Sequence, residues 1–224
     1  MAVIEAFDLY RFYHAKEEET LALRGVSICV EAGEIVIVMG ASGSGKSTLI
    51  SCLAGLDEPD GGYVELLGKR LTRRSEAERA AMRASHIGIL LQSGNLFEYL
   101  SVADNVLLQM QLARKVDKQR VENLVELVGL KHRRHAHPSQ LSGGEAARAG
   151  LAVALAANPC LLLTDEPTAE VDAETEKQIF RLFEQRRQLG GATLIATHSQ
   201  ALAQLGDRII FLQDGRIFNA VHTS

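Results

Sequence analysis

The stretch Gly40-Ala41-Ser42-Gly43-Ser44-Gly45-Lys46-Ser47, followed by Thr48, constrains this chain more than any other. It fits G-x-x-x-x-G-K-[ST] and lies between Ile35–Met39, an apolar run with the length and branching of a buried strand, and Ser47–Ala54, which reads as a helix; the motif needs that context. Glycines let backbone N–H groups turn inward around a polyphosphate, and a helix N-terminus adds about half a positive charge. Lys46 is then placed to meet the β and γ phosphates, and the Ser47 hydroxyl to ligate Mg²⁺.

The rest of the chain supplies a matching core. Val3–Leu9 and Leu21–Val30 are β-rich, Tyr63–Leu67 and Ile87–Leu91 read as strands, and β-type runs return at Cys160–Thr164, Thr193–Thr197 and Ile209–Leu212. Between them, about Val102 to Ala157 is helical in pattern, with Val121, Leu124, Val125 and Val128 on one apolar face. A second amphipathic stretch, Ala173–Leu189, ends at Gly190-Gly191, and Asp214-Gly215 is a two-residue hairpin signal. Strands alternating with helices predict an α/β core around a largely parallel sheet, with early antiparallel strands and a helical insert.

Composition narrows the class. The chain has 224 residues, 46% apolar and 23% charged with a net charge of −4, the profile of one ordinary domain with no general attraction to nucleic acid or anionic lipid. Its longest uncharged stretch, Ala149 to Thr164, is broken by Asn158-Pro159 and is shorter than the roughly 20 residues a membrane span needs. The start, Met1-Ala2-Val3-Ile4-Glu5, lacks a secretory pattern, so a cytosolic setting is expected. Cys29, Cys52 and Cys160 sit in apolar runs and read as small buried hydrophobes.

Two further segments carry chemistry. Leu161–Thr164 is an apolar strand ending in Asp165-Glu166, and strand alternation sends two consecutive carboxylates to opposite sides. Beside a phosphate loop, Asp165 is expected to hold Mg²⁺ and Glu166 to polarise an attacking water. Leu141-Ser142-Gly143-Gly144-Glu145 opens a helix, and Ser142 with Glu145 is a capping box. Capping does not explain Gly143-Gly144, each costing roughly 1 kcal/mol in a helix. Close approach to an anion does, and points to a nucleotide held by another copy.

Gly40–Thr48, Gln92 in Leu90-Leu91-Gln92-Ser93, Leu141–Glu145, Leu161–Thr168 and His198 in Ala196-Thr197-His198-Ser199 occur in the order and spacing of an ABC-type ATPase, which the whole chain resembles. The short N-terminal stretch, Glu17-Glu18-Glu19 after Tyr13, and His137-Pro138-Ser139-Gln140-Leu141 look most like the ATPases of lipoprotein-release, macrolide-export and cell-division permease systems. The resemblance implies a P-loop core (1–91 and 158–224, with an antiparallel β subdomain) and a helical subdomain (92–157). It also implies that Tyr13 stacks on adenine, that Gly40, Ala41, Ser42, Gly43, Ser44, Gly45, Lys46, Ser47 and Thr48 cradle the phosphates of ATP, and that Gln92 joins Ser47 and Asp165 at Mg²⁺. Glu166 is the implied base or water positioner, and His198 contacts the γ-phosphate. Ser142, Gly143, Gly144 and Glu145 complete the opposing copy's site, and Asp172 signals across a homodimer. The chain then works at the cytoplasmic face of the inner membrane, beneath separate transmembrane permease subunits, with no nucleic acid partner. A regulatory ATPase that passes nucleotide-driven motion to an envelope or cell-division partner is the alternative.

Several positions depart from that pattern. Glu145 replaces the usual glutamine, Ala169-Glu170-Val171-Asp172 differs from small-Ala-Leu-Asp, and Val153 stands where most members carry arginine. A carboxylate at 145 is unfavourable near a γ-phosphate unless it points away or caps its helix. Three weaker signals remain. His132, His135 and His137 read as a basic connector more simply than as a metal site. Lys69, Arg70, Arg73, Arg74, Arg79 and Arg83 read as a solvated helix face. Phe97, Tyr99 and Leu100 are either core or the wall of a groove for a permease helix.

Overall fold

A computed structural model describes residues 1–15, 18–169 and 171–222. The Glu17-Glu18-Glu19 insertion lies partly outside them, and Glu170 wholly so. The chain opens with β1 (Ala2–Ala15), β2 (Glu18–Glu31), β3 (Ile35–Met39), α1 (Lys46–Leu53), β4 (Gly61–Leu66) and β5 (Lys69–Arg70). It continues through α2 (Glu76–His86), β6 (Ile87–Leu90), α3 (Val102–Leu112), α4 (Lys118–Leu127) and α5 (Gly143–Leu155). The last third holds β7 (Leu161–Asp165), α6 (Ala173–Gln188), β8 (Ala192–Thr197), α7 (Gln200–Ala203), β9 (Arg208–Gln213) and β10 (Arg216–His222).

A six-stranded sheet runs β10-β9-β3-β8-β7-β6, parallel except for β10, and a four-stranded antiparallel sheet runs β2-β1-β4-β5. Uninterrupted apolar runs make the parallel strands because both faces of that sheet are covered. In β3, Val36 and Val38 enter one core cluster with α1 and the antiparallel sheet, whereas Ile35, Ile37 and Met39 enter a second with α3 to α6. Alternation splits β7 the same way, with Leu161 and Leu163 on one side and Leu162 on the other. The predicted face Val121, Leu124, Val125 and Val128 is buried in the second cluster.

This arrangement aims the C-terminal ends of β3, β7 and β8 at one edge, where loops after parallel strands build sites. Asp214 and Gly215 have φ of 47° and 74°, the conformation of a tight two-residue hairpin, and join β9 to β10. Gly215 N donates to the Ser44 carbonyl at 3.0 Å and its own carbonyl accepts from Arg24 N at 2.8 Å, so the hairpin tip braces the phosphate loop.

The basic residues around α2 are largely paired. Arg79 meets Glu58 and Glu76, Arg83 meets Glu76, Arg74 meets Glu78, and Arg70 meets Glu65. The cysteines are free, and burial pushes the Cys52 thiol up to about 12, far from a reactive thiolate. Phe97 and Tyr99 are 64% and 94% exposed, so neither is core. No helix among the described residues is long and apolar enough to cross a membrane.

Candidate nucleotide site

The loop from Gly40 to Gly45 is shaped by contacts that exclude side chains. A Cβ on Gly40 would lie 2.3 Å from the Leu212 carbonyl, and one on Gly45, at φ 104°, 2.5 Å from that of Ala22. Gly43, at φ 79°, faces open space instead. Helix α1 begins at Gly45 without a side-chain cap, leaving its first N–H groups for an anion. Lys46 is 8% exposed, and its Nζ donates to the carbonyls of Gly40 at 2.7 Å and Ala41 at 3.1 Å. Ser44 Oγ is buried without a hydrogen-bond partner.

Around this loop lies a cleft of about 870 Å³, lined by Tyr13, Gly40, Ser42, Gly43, Gly45, Lys46, Ser47, Thr48, Gln92, Asp165, Glu166 and His198. The sequence-predicted residues from five separate segments therefore converge. Tyr13 reaches it from β1; its hydroxyl donates to Asp57 Oδ2 at 2.7 Å, and the Arg11 guanidinium lies 4.8 Å from its ring centre. Arg11 is itself paired with Asp57 and Asp60, so the ring is anchored at its edge and on one face.

The two carboxylates are not related as strand alternation predicts. β7 ends at Asp165, and Glu166 has φ 49°, so it has left the extended region and both side chains line the same cleft. Glu166 is held at both oxygens. Oε1 lies 2.8 Å from His198 Nδ1, and Oε2 accepts from the Thr197 hydroxyl at 3.0 Å. His198 is 75% exposed and so can reach a ligand while touching Glu166.

The start of α5 does not line this cleft. Ser142 caps α5 by accepting from Glu145 N at 3.2 Å, and the Glu145 carboxylate accepts from Ser142 N at 2.9 Å. Arg133 donates to the other Glu145 oxygen at 3.1 Å. Glu145 thus caps its own helix and is neutralised, the arrangement under which a carboxylate is tolerable there. Gly144 has an intrachain reason as well: its Cβ would come within 3.3 Å of Thr175 Oγ1 and 3.5 Å of Asp172 Oδ2. Gly143 lines a separate cavity of about 260 Å³ that Gln92, Glu166 and Val171 also border. Asp172 caps α6, accepting from the N–H groups of Glu174 and Thr175 at 3.0 and 2.9 Å. Val153 borders a 380 Å³ cavity between α2, β6 and α3.

The backbone hydrogen bond from Ser142, aided by Arg133, holds the Glu145 carboxyl below the usual carboxylate value. A depressed folded value means its stabilisation is present at neutral pH and is lost as pH falls below about 4.5. Glu145→Ala is expected to cost about 1 kcal/mol in denaturant unfolding at pH 7 and much less at pH 3. An equal loss at both pH values would exclude the ionised cap.

Sequence reading missed several residues of the site. Thr197, buried and bonded to Glu166 without lining the cleft itself, precedes His198 and was within reach of the same motif. Thr20 and Arg24 also line the cleft from β2 without a local signal, and Asp214 and Gly215, legible only as a hairpin, are carried there by the fold.

Comparison with known proteins shows the family. Residues 23–169 match the family described as ABC transporter. The lipoprotein-releasing system ATP-binding protein LolD of Acinetobacter baylyi is 40% identical over 95% of this chain and 96% of its own length. The macrolide export ATP-binding/permease protein MacB of Chlorobium phaeobacteroides is 37% identical over 96% of this chain but only 33% of its own length. A dimeric post-hydrolysis structure of the ATP-binding cassette MJ0796 with ADP and Pi superposes with a TM-score of 0.93 at 30% identity, covering 98% of both chains. By the family match over residues 23–169 and the likeness to these relatives, this chain belongs to the ABC transporter family as an ATP-binding, ATP-hydrolysing cassette.

Proposed function

We propose that the chain is the ATPase subunit of an export-type ABC transporter, closing as a homodimer on ATP at the cytoplasmic face of the inner membrane and driving a separate permease. The observation that carries the dimer is positional: Lys46, Ser47, Gln92, Asp165, Glu166 and His198 line one cleft, whereas Ser142 to Glu145, a second anion-suited segment, do not. A capped, glycine-rich helix start away from its own cleft is suited to a second copy's nucleotide. The likeness to LolD and MacB supports the export reading, and exposed Phe97 and Tyr99 offer an apolar surface for a permease helix.

In this reading Tyr13 stacks on adenine by the ring face away from Arg11. Residues 40–48 wrap the phosphates, and Lys46 exchanges its loop carbonyls for phosphate oxygens. Ser47, Gln92 and Asp165 would hold Mg²⁺, which when bound neutralises phosphate charge. Glu166 orients the attacking water and takes its proton, while Thr197 and His198 fix the carboxylate's two oxygens. Ser142, Gly143, Gly144 and Glu145 serve the opposing copy, with Asp172 at the same boundary. Segment 92–157 moves as a helical unit against 1–91 and 158–224, and Gln92 reports that motion to the permease.

Ser142→Arg tests the shared site. The variant is expected to bind ATP within about twofold of the wild type, a difference under about 0.5 kcal/mol, yet to lose nearly all turnover. Turnover at the wild-type rate would mean that each chain completes its own site.

A further inference from the structure

We infer that Arg148 and Thr175 are positioning residues that fasten the start of α5 to the Asp172 loop, so that closure on one nucleotide is felt at the hydrolytic carboxylate serving the other. This rests on the shared-site reading above.

The fastening is a short chain of polar contacts between two helices. Arg148 lies one turn beyond Gly144 on α5, and its Nη1 donates to Thr175 Oγ1 on α6. Thr175 is 2% exposed, and its hydroxyl donates in turn to Asp172 Oδ2 at 2.9 Å. A hydroxyl has one proton to give, so Thr175 is used as acceptor on one side and donor on the other, which fixes the direction of the whole chain. Asp172 could cap α6 with Oδ1 alone, because both backbone bonds go to that oxygen. Arg148 is therefore not needed for the cap. Its Nε is nevertheless buried without a partner, which places the guanidinium between the elements and not along the surface.

Gly144 completes the joint. A Cβ there would lie 3.3 Å from Thr175 Oγ1, 3.5 Å from Asp172 Oδ2 and 3.8 Å from Arg148 Nη1, so even one added carbon would touch all three. The backbone of the α5 start thus rests directly on the cluster. From Asp172 the chain leads back to Glu166 within a few residues, and Ala169 N donates to the Glu166 carbonyl at 3.2 Å. Val171 packs on the helical core cluster, tying the same loop to α5's side of the molecule. A displacement of Ser142 when a nucleotide is sealed is accordingly carried through Arg148 and Thr175 to the loop that starts at Glu166 of the same chain.

The test uses the full chain with Mg²⁺, measuring steady-state hydrolysis over graded ATP concentrations and, separately, binding of a fluorescent ATP analogue. Two coupled sites allow a Hill coefficient approaching about 2. That value is expected for the wild type and for Thr175→Ser, which keeps the hydroxyl. Thr175→Val and Arg148→Met are expected to fall to about 1, with analogue affinity within about twofold of the wild type. A purely structural role would lower the melting temperature and the active fraction without moving the Hill coefficient. Cooperativity retained in Thr175→Val overturns the proposal alone. Cooperativity absent from the wild type overturns it as well, and Ser142→Arg then separates the two readings: loss of turnover in that variant leaves the shared site standing, whereas turnover at the wild-type rate removes both. A wild type that fails to bind the analogue and hydrolyse ATP sinks the functional reading, and the proposal with it.

Discussion

Glu166→Gln is expected to slow ATP turnover by about 10² to 10⁴-fold, the usual range for losing a positioned general base. The amide keeps the shape of the side chain and one oxygen that can still accept from Thr197, so the pocket loses little structure. What it loses is the capacity to take a proton and the negative charge that orients water. The geometry makes this a clean test, because both carboxylate oxygens are engaged, at 2.8 Å by His198 and 3.0 Å by Thr197. ATP affinity should stay near the wild-type value, and the ATP-loaded dimer should persist in gel filtration because it can no longer be discharged. A variant that hydrolyses at the original rate would move the catalytic role elsewhere.

Lys46→Met is expected to weaken ATP binding by at least about 100-fold, or roughly 2.7 kcal/mol. Its ammonium is nearly buried, with neutral carbonyls of Gly40 and Ala41 as its partners. A positive charge held that way gains strongly when phosphate oxygens replace carbonyls, since the attraction of two opposite charges is added to hydrogen bonds that the ammonium makes in either case. Methionine fills the same space without the charge, so the unliganded fold should unfold at nearly the same denaturant concentration. Thermal stabilisation by ATP should vanish at concentrations that saturate the wild type. Equal ATP-induced shifts in the two proteins would show that Lys46 does not carry the phosphate contact.

The segments most legible in the sequence were those whose meaning is local. Ile35–Met39 was bounded correctly because a strand buried on both faces has no polar interruption to blur its ends. The phosphate loop was legible from its fixed spacing between a strand and a helix, although the carbonyls that exclude side chains at Gly40 and Gly45 belong to Leu212 and Ala22, far away in the chain. The capping box at Ser142 and Glu145 was equally local, and both of its hydrogen bonds are present. Asp165 and Glu166 were harder: alternation holds only while the backbone stays extended, and a single left-handed residue at 166 reverses its conclusion.

The sequence by itself determined the kind of chemistry available: a polyphosphate cradle, a terminal pair of carboxylates, a glycine-rich helix start and the α/β alternation that supports them. Each follows from backbone sterics and side-chain spacing within a short window. Only the tertiary structure decided that Glu166 is clamped by Thr197 and His198, that Arg133 neutralises Glu145, and that Arg148 and Thr175 join two helices at Asp172. Those contacts join segments far apart in the chain or facing across helices. They form because burying the two faces of one sheet fixes where its strand ends and helices meet.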